Sequence, residues 1–418
     1  MSEQITEGVP SFFDRLRVQI DRIPVGRGIP LGIEQVVNPE LGVAGAYGTW
    51  GDHYDNVTLP LMIEERLEEP LSDGEIMNLA ELGFVHRHHI SRLSDEEHTA
   101  VEIEVGARFL RAAAAANGWE PSEIEGVLIG TSAPTVVDYT EQISRRAGIP
   151  DSALKVSVHK ACDGSVGALN LALNPDLPPY WHSSSTIAAA LKGKKVLVGG
   201  IEGLSRIMRT ARDKNALQLF GNGAAVIGLI PGKTMKFLVG KTYEVFDEEG
   251  VLQVHMFYPH SGKRAGGESM IEATEAGENH LRIAGLMHEP EGGAPVVMAG
   301  PMGMVKLFVR SGVDVVREVY QSYQRLMNQL GMPDRSIRVA IVHHANLKIN
   351  KLKEKTLQRE GIQISMPWLL SDFGNVSAAS NMIAFLRQLP SLKPGDHVLF
   401  DGFGAGTYYD ALAVEMGG

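Results

Sequence analysis

The 418-residue sequence is poor in cysteine, in aromatic residues and in positive charge. Its one cysteine, Cys162, excludes an intramolecular disulfide and any metal site built from several thiolates. Aromatic residues make up 6% of the chain and charged residues 21%, and 39 Lys and Arg against 50 Asp and Glu give a formal net charge of −11. This acidic balance argues against nucleic acid or an anionic membrane as the main partner, because both require a cationic surface.

Long apolar runs are missing as well. No uninterrupted stretch approaches the ~20 apolar residues that a helix needs to cross a bilayer. The start, Met1-Ser2-Glu3-Gln4, lacks the basic and apolar segments of a signal peptide. A hydrophobic share of 44% is nevertheless enough for a packed core. We therefore expect a cytoplasmic protein that makes no membrane contact.

Glycine is abundant, with 46 residues. Its clusters lie at the ends of apolar β-branched runs, as in Gly199-Gly200, Gly221-Asn222-Gly223 and Gly402-Phe403-Gly404-Ala405-Gly406. Glycine at such positions lets backbone approach backbone or ligand closely. The pattern is typical of tightly packed sheets and active-site loops.

Short apolar runs alternate with helix-forming segments in two successive series. The runs predict strands at 126–130, 154–158, 195–199, 224–230, 296–299, 339–342, 397–400 and 410–415. The segments between them predict helices at 100–117, 142–147, 165–173, 305–330, 347–359 and 377–389. This alternation indicates a layered α/β fold made of two similar halves.

The two series suggest four parts of the chain. Residues 1–40 form a polar N-terminal extension, and 41–230 form the first half with Cys162. Residues 231–290 read as an insertion or elaborated connection, a common place for substrate or partner contacts, and 291–418 form the second half.

Cys162 is the first candidate for chemistry. It follows a predicted strand and precedes a predicted helix, so its sulfur is expected at a positive helix N-terminus, which favours the thiolate. The alternative is a buried small hydrophobe. The polar neighbours Lys160 and Asp163 favour a reactive thiol.

Three more segments carry candidate groups. His343 ends a predicted strand, where a histidine serves as acid, base or oxyanion donor, or simply as a hydrogen-bonded turn residue. Asn375 precedes a helix of small residues and by itself indicates only a helix start with Ser377 near the N-cap. Backbone N–H groups of the segment 403–407 are suited to form half of an oxyanion hole.

Together, these segments resemble the ketoacyl-ACP synthase III family of the thiolase superfamily. The resemblance covers roughly residues 34–417 and rests on family-specific motifs rather than on glycines alone. The motifs are Ala161-Cys162, His343-x-Ala345-Asn346-x-Lys348-Ile349, Gly374-Asn375-x-Ser377-Ala378-Ala379-Ser380, Phe403-Gly404-Ala405-Gly406 and Phe220-Gly221-Asn222-Gly223-Ala224.

The resemblance implies a thiolase-like five-layered αβαβα fold, a homodimer, and acyl-CoA or an acyl carrier protein as the source of thioesters. It implies that Cys162 is the nucleophile that accepts the acyl group. His343 and Asn375 are then expected to stabilise the enolate of a malonyl-type extender. The N–H groups of Cys162 and Ala405 are expected to form the oxyanion hole. No metal or organic cofactor is implied.

Several residues depart from the family pattern. Met77 and Glu81 stand where primary-metabolism members carry a Trp and an Arg that hold the CoA nucleotide. Asp163 stands beside the nucleophile, where its charge is expected to oppose thiolate formation unless the carboxylate points away. His344 replaces Gln, and Asn222 replaces Asp. These departures indicate a specialised relative rather than the housekeeping initiator of fatty-acid synthesis.

Two further comparisons concern the partner substrates. Related enzymes that condense without decarboxylation use a Glu base, whose position here falls near Val136-Val137, while Glu141 is expected on the wrong helical face. The family holds its acidic carrier with a basic patch, which Lys348 and Lys355 match and Lys306 approaches. Arg206, Arg209 and Arg212 are a further candidate stripe, although such charges are commonly a solvated face.

The sequence thus predicts a condensing enzyme that loads an acyl group on Cys162 and joins it to a malonyl-type thioester, with loss of CO2. Two enzymatic alternatives remain: transfer of the acyl group to an oxygen or nitrogen nucleophile, and condensation of two acyl thioesters without decarboxylation. A partner subunit without activity is a third, which the presence of all four motifs argues against.

Overall fold

In this computed structural model, two large β-sheets with helices packed on them dominate the described part of the chain, and two further sheets have two strands each. The structure describes residues 17–23, 28–90, 93–132, 135–136, 138–178, 185–209, 211–244, 255–256, 271–277, 279–285, 296–297, 305–404 and 408–417. The strands are β1 (Arg17–Ile23), β2 (Ile29–Asn38), β3 (Val43–Trp50), β4 (Asp52–Asp55), β5 (His86–His89), β6 (Gly126–Gly130), β7 (Leu154–His159), β8 (Val196–Glu202), β9 (Gly223–Leu229), β10 (Met235–Glu244), β11 (His255–Met256), β12 (Ile271–Gly277), β13 (His280–Gly285), β14 (Val296–Val297), β15 (Ile337–Val342), β16 (His397–Gly404) and β17 (Tyr408–Met416).

The helices follow the predicted pattern with shifted ends. They are α1 (Thr58–Leu67), α2 (Asp95–Ala116), α3 (Tyr139–Ala147), α4 (Gly164–Leu173), α5 (Ile187–Leu191), α6 (Leu204–Met208), α7 (Lys214–Leu219), α8 (Gly312–Gln329), α9 (Leu347–Arg359) and α10 (Ser380–Gln388). The helix predicted at 305–330 is a π-helical turn, Lys306–Ser311, that continues into α8. Helix α2 begins earlier than predicted because Ser94 and Glu97 form a reciprocal capping box.

The larger sheet has the strand order β1-β2-β3-β9-β8-β6-β7-β13-β12, and the smaller has β10-β17-β16-β15. Strands β6, β7 and β8 run parallel, as do β15 and β16. The carboxyl ends of these parallel strands therefore point the same way within each sheet, and the predicted site segments follow them.

The helices complete five layers. Helices α4 and α10 lie between the sheets and contact both, α2 and α3 cover the outer face of the larger sheet, and α8 packs on the outer face of the smaller one. The middle layer contributes many apolar side chains to the core, with Leu169 of α4 and Phe385 of α10 completely buried. The predicted five-layered αβαβα fold is confirmed.

The two halves also share a local device. A short 3-10 turn precedes each middle helix, Ala161–Asp163 before α4 and Ser377–Ala379 before α10. Ala161 and Ser377 each adopt a left-handed backbone, with φ of 48° and 44°. Both turns thus bend the chain sharply from a strand or loop into a buried helix.

The two segments outside the repeated pattern, 1–40 and 231–290, contribute strands to the large sheets. In the N-terminal extension, β1 and β2 lengthen the larger sheet at its β3 edge. Within 231–290, β10 pairs with β17 in the smaller sheet, whereas β12 and β13 pair with each other and β13 with β7. The described strands β10, β12 and β13 of this segment thus extend one edge of each large sheet.

Within these described ranges, no helix is both long and apolar enough to cross a membrane.

Replacing Phe385 by Ala should strongly destabilise the fold. The ring is fully buried between the sheets and packs against Phe400, with ring centroids 5.1 Å apart. We expect Phe385→Ala to lower the free energy of unfolding by about 3–5 kcal/mol, measured by urea denaturation. Leu352→Ala is the control, because Leu352 is 39% exposed on α9 and its truncation should cost about 0.5 kcal/mol or less. Equal losses would contradict the layered core.

Candidate active site

Cys162 lies in the sharp turn that leads from β7 into α4. The left-handed Ala161 turns the chain, and Cys162 is the middle residue of the 3-10 turn. A Cβ at Gly404, the last residue of β16, would lie 2.3 Å from the Lys160 carbonyl oxygen and 3.1 Å from the Cys162 nitrogen. Only glycine permits that approach. The end of β16 therefore packs directly on the backbone of the candidate nucleophile.

The Cys162 thiol is protonated in the resting site. Its side chain is partly accessible, yet the sulfur is surrounded by enough protein that burial raises its pKa to about 12. The Ser377 hydroxyl donates a hydrogen bond to the sulfur over 3.2 Å and counteracts this only in part. The expectation that the helix N-terminus favours a thiolate is therefore wrong for the resting site, because desolvation outweighs it.

His343 follows β15 and is completely enclosed. Its Nδ1 lies 2.5 Å from the Ser380 hydroxyl, and its ring meets the Phe403 ring edge-on at 4.9 Å. Burial, with smaller contributions from His344 and Lys353, lowers its pKa to about 3, so the ring is neutral. When the Ser380 hydroxyl donates to Nδ1, Nε2 carries the ring proton and is available as a hydrogen-bond donor.

His344 has a different role from its neighbour. Its Nδ1 lies 2.8 Å from the Val342 carbonyl oxygen, and its Nε2 accepts the backbone N–H of Leu369 over 3.0 Å. Both nitrogens are therefore occupied by backbone groups. The ring fixes the loop beside the site and leaves the chemistry to His343.

Asn375 is held with its amide nitrogen free. Its Oδ1 accepts the N–H of Ser377 over 2.9 Å, and its backbone bonds to both Leu219 and Gly221. The described residues provide no hydrogen-bond partner for its Nδ2. The segment Phe220-Gly221-Asn222-Gly223 thus positions Asn375, which explains its place among the motifs.

The turn from Asn375 to Ser380 brings the three predicted residues together. Asn375 begins it, Ser377 contacts the Cys162 sulfur, and Ser380 contacts the His343 ring. A neutral ring, a free amide and a thiol therefore meet around one short segment of chain.

Asp163 points away from the thiol into a buried ionic cluster. Its carboxyl lies 3.3 Å from Lys160 Nζ, and Lys160 also pairs with Asp410 of β17. Burial and Asp410 raise the pKa of Asp163 well above its ordinary value, whereas Lys160 keeps the pKa of Asp410 low against the effect of burial. The raised pKa favours the neutral form of Asp163, which weakens its expected opposition to a thiolate.

The predicted cationic residues are mostly paired. Lys348 pairs with Glu81 at the surface, Arg206 with Glu102, and Arg209 with Asp95. Lys355 is exposed on α9. The side chain of Lys306 and the whole of Ala405 lie outside the described residues, so the second oxyanion donor stays a prediction.

Sequence reasoning missed Glu202, the last residue of β8. It is 1% exposed, and its carboxylate accepts the backbone N–H of Ser132 over 2.8 Å and that of Ala378 over 3.0 Å. The available signal was a lone acid that ends an otherwise apolar strand. Glu141 lies elsewhere, as expected from its helical face, and pairs with Arg145.

The described residues contain no group of three or more His, Cys, Asp and Glu side chains that could hold a metal ion.

Comparison with known proteins relates the second half of this site to a described family. Residues 327–416 match the family described as 3-Oxoacyl-[acyl-carrier-protein (ACP)] synthase III C terminal, a range that includes His343 and Asn375. The beta-ketoacyl-[acyl-carrier-protein] synthase III of Syntrophomonas wolfei subsp. wolfei is 28% identical over 308 residues, which cover 71% of this chain and 78% of the relative. The corresponding protein of Nitratidesulfovibrio vulgaris is 26% identical over 343 residues, covering 80% and 87%.

Solved structures share the fold. The 3-oxoacyl-[acyl-carrier-protein] synthase III of Aquifex aeolicus VF5 superposes with a TM-score of 0.58 at 18% identity, covering 93% of this chain and 100% of that one. A bacterial type III polyketide synthase, 1,3,6,8-tetrahydroxynaphthalene synthase of Streptomyces coelicolor A3(2), gives 0.57 at 14% identity, covering 90% and 98%. The fold is therefore that of the thiolase-like condensing enzymes.

The protein is thus a condensing enzyme, and hence an acyltransferase, of the thiolase-like class. The chain is similar to beta-ketoacyl-[acyl-carrier-protein] synthase III over most of its length and is a synthase III-like condensing enzyme.

Acidification should destabilise the protein through its buried histidines. Burial lowers the pKa of His343 to about 3 and that of His344 to about 4, below the ordinary value near 6.5. Between these values the unfolded chain binds protons that the folded chain does not, so the free energy of unfolding should fall as pH falls from 6.5 to 4. Each ring contributes up to about 1.4 kcal/mol per pH unit. Urea denaturation at pH 7, 6 and 5 measures the slope, and a His343 ring that titrates above pH 6 by NMR would contradict it.

Proposed function

We propose that the protein loads an acyl group on Cys162 as a thioester and condenses it with a malonyl-type thioester, with loss of CO2. The proposal places it in the cytoplasm, in fatty-acid-related or specialised, polyketide-like metabolism. The observation that carries it is the turn 375–380, which joins the thiol, the neutral imidazole and the free amide.

The two stages of this reaction need different groups. Acyl transfer needs a nucleophile and donors for the tetrahedral oxyanion, for which we propose the N–H groups of Cys162 and Ala405. Condensation needs a second place where an enolate oxygen is stabilised. A neutral His343 and the Nδ2 of Asn375 provide two hydrogen-bond donors there. Neither group is acidic enough to protonate the enolate.

This second pair of donors favours condensation over acyl transfer to an oxygen or nitrogen nucleophile. Simple transfer forms no enolate and would leave the enclosed His343 without a task. Condensation without decarboxylation needs a base at the extender carbon, and Val136 stands at the expected position. Decarboxylation makes such a base unnecessary, because loss of CO2 generates the enolate directly.

The donor of each thioester is proposed as acyl-CoA, an acyl carrier protein, or both. Glu81 takes the place of the family arginine and pairs with Lys348. The cationic contact that this arginine provides for the CoA nucleotide is therefore missing at position 81. Exposed Lys355 keeps a cationic position on α9 for an acidic carrier, with Lys348 and Lys306 as further candidates. No metal or organic cofactor takes part in the proposed reaction.

We also propose a homodimer. Among the described strands, β12 lies at one edge of the larger sheet with one side unpaired, and β1 lies at the other edge. Unpaired sheet edges are common sites of association between chains. Light scattering on the purified protein tests the oligomeric state.

Removing the thiol or the imidazole should separate the two stages. Intact mass after exposure to a panel of acyl-CoAs and acyl carriers should show an adduct on the wild type and none on Cys162→Ala. His343→Ala should still be acylated but lose condensation by about 100-fold or more, because one enolate donor is gone.

The matched control is His344→Gln, which alters the adjacent buried histidine while leaving His343 in place. Its condensation rate should stay within about tenfold of the wild type. An adduct on Cys162→Ala would contradict the nucleophile. Loss of acylation in His343→Ala would contradict the division of roles.

Reversing the charge of Lys355 should weaken carrier docking. We expect Lys355→Glu to raise KM for an acyl carrier about fivefold or more, while KM for acyl-CoA is unchanged. Added salt should raise the KM for the carrier less steeply in the variant than in the wild type. Lys233→Glu makes the same charge change at another exposed position and should leave both constants unchanged. Equal effects of the two variants would contradict docking at α9.

A further inference from the structure

Glu202 is a buried carboxylate that contacts the residues following β6 and the turn 375–380. Its Oε1 accepts N–H groups of Ser132 and Ala378, and its Oε2 accepts the Ser132 hydroxyl over 2.8 Å. No Lys, Arg or His nitrogen of the described chain lies within 4 Å of it. A buried acid without a cationic partner is costly, so its retention needs a reason beyond packing.

The Ser377 hydroxyl lies between this carboxylate and the nucleophile. It contacts the Cys162 sulfur at 3.2 Å, and its interaction with Glu202 lowers the pKa of that acid. The left-handed backbone of Ser377, and the bond from its N–H to Asn375, fix where the hydroxyl points. The Ser377 hydroxyl therefore lies between the Cys162 thiol and the Glu202 carboxylate in space.

The backbone around this row is closely packed. A Cβ at Gly200 of β8 would lie 2.4 Å from the Ala378 carbonyl oxygen. The strand that carries Glu202 and the turn that carries Ser377 are thus in direct backbone contact. Hydrogen bonds from Ser132 and Ala378 hold the carboxylate beside this turn.

We propose that Glu202 is the proton acceptor for Cys162, acting through the Ser377 hydroxyl. This inference rests on the proposed role of Cys162 as nucleophile and adds the group that activates it. Glu202 is a positioning and proton-relay residue, since it does not itself touch the sulfur in the described contacts.

The proton and electron balance is simple. For the relay, the Ser377 hydroxyl turns to donate to Glu202 instead of to the sulfur, and the Cys162 thiol donates to Ser377 Oγ. As the sulfur lone pair forms the S–C bond to the thioester carbonyl, the thiol proton passes to Ser377 Oγ, and the serine proton passes to Glu202. When the tetrahedral intermediate collapses, the C–S bond to the donor breaks, and the leaving thiolate takes a proton back from Glu202 along the same route. Serine and carboxylate end as they began, and no further reactant is needed.

The protonation properties of the other groups leave Glu202 as the suitable base. Burial raises the pKa of the thiol to about 12, so attack requires a base. Burial also raises the pKa of Glu202 to about 7, although hydrogen bonds from Ser132 and Ala378 oppose this effect. His343 has a pKa lowered to about 3 and is turned to Ser380. Asp163 is engaged with Lys160.

Other titratable groups face Glu202 and must be considered in any pH profile. Glu102 of α2 and Tyr139 of α3 act on it electrostatically, as does Cys162 itself, and Arg206 neutralises part of the Glu102 charge over 3.3 Å. Glu102 is buried and also has its pKa raised to about 7. It therefore provides a matched control that lacks contact with Ser377.

The test is the rate of Cys162 alkylation by iodoacetamide between pH 5.5 and 9.5, followed by intact mass. In the wild type the rate should rise with an apparent pKa near 7 and then level off. Glu202→Gln keeps an oxygen for the two N–H groups but takes no proton, and Ser377→Ala breaks the relay. Both should react about 100-fold more slowly at pH 8 and show no inflection near 7.

Two further variants sharpen the result. The double variant should be no slower than either single one, because both changes break one route. Glu102→Gln should keep the plateau. A carboxylate that acted only as a repelling charge would have the opposite effect, since its removal would lower the thiol pKa and speed alkylation.

An unchanged or faster rate in both Glu202→Gln and Ser377→Ala would overturn the relay. If Glu202→Gln unfolds in a thermal scan, the decision falls to Ser377→Ala, which removes only one oxygen. Alkylation does not depend on the thioester substrate. Failure of every thioester to load on Cys162, with the alkylation profile as expected, would therefore contradict the proposed function and leave the relay standing.

Discussion

The structure depends on backbone that approaches backbone at the carboxyl ends of three strands. A Cβ at Gly130 would lie 2.2 Å from the Gly164 carbonyl carbon, one at Gly200 2.4 Å from the Ala378 oxygen, and one at Gly404 2.3 Å from the Lys160 oxygen. Glycine at these ends lets the turns before α4 and α10 sit directly on the sheets. The thiol, the imidazole and the amide owe their closeness to this contact, because those turns carry or hold all three.

Buried charge fixes the two halves in register. Lys160 lies two residues before the nucleophile and pairs with Asp410 of β17, so the cluster joins the first half to the second. Lys353 pairs with Asp401 and lies 5.3 Å from the centre of the Phe403 ring, which packs against His343. Removing one partner of such a pair typically costs about 3–5 kcal/mol, because the other charge stays buried. A shifted packing of the halves would incur that cost at Lys160, whereas the Lys353–Asp401 pair lies within the second half.

Local signals in the sequence were sufficient for the layered fold and the turn residues. Helix α9 has its predicted bounds, since an N-capping Asn346 precedes it and a charged last turn ends it. Cys162 and His343 could be found because each follows a strand-like segment, Asn375 because it precedes a helix of small residues, and all three because they belong to recognisable motifs. The direction in which Asp163 points could not be predicted, since it depends on Lys160 and Asp410, and Asp410 lies in the other half.

Local sequence signals did not predict the strands whose partners are far away in the sequence. Strands β1 and β2 look like a polar extension in sequence, and β12 and β13 look like an insertion, because nothing local indicates that β13 pairs with β7. Glu202 resembles an ordinary strand end until the turn 375–380 is placed beside it. These features arise from contacts between segments that are far apart in the sequence, so the spacing of hydrophobic residues does not reveal them.

The hairpin β12–β13 has a consequence for how the chain is made. Strand β7, which leads to Cys162, is flanked by β6 on one side and by β13 on the other, so its second neighbour is synthesised long after it. During translation, the edge of β7 stays open until residues 280–285 have left the ribosome. The thiol-bearing turn also lacks its cover from the end of β16 until the last part of the chain appears. Such late, non-local pairing slows folding and leaves an unpaired strand edge exposed in the meantime, where nascent chains can associate with one another.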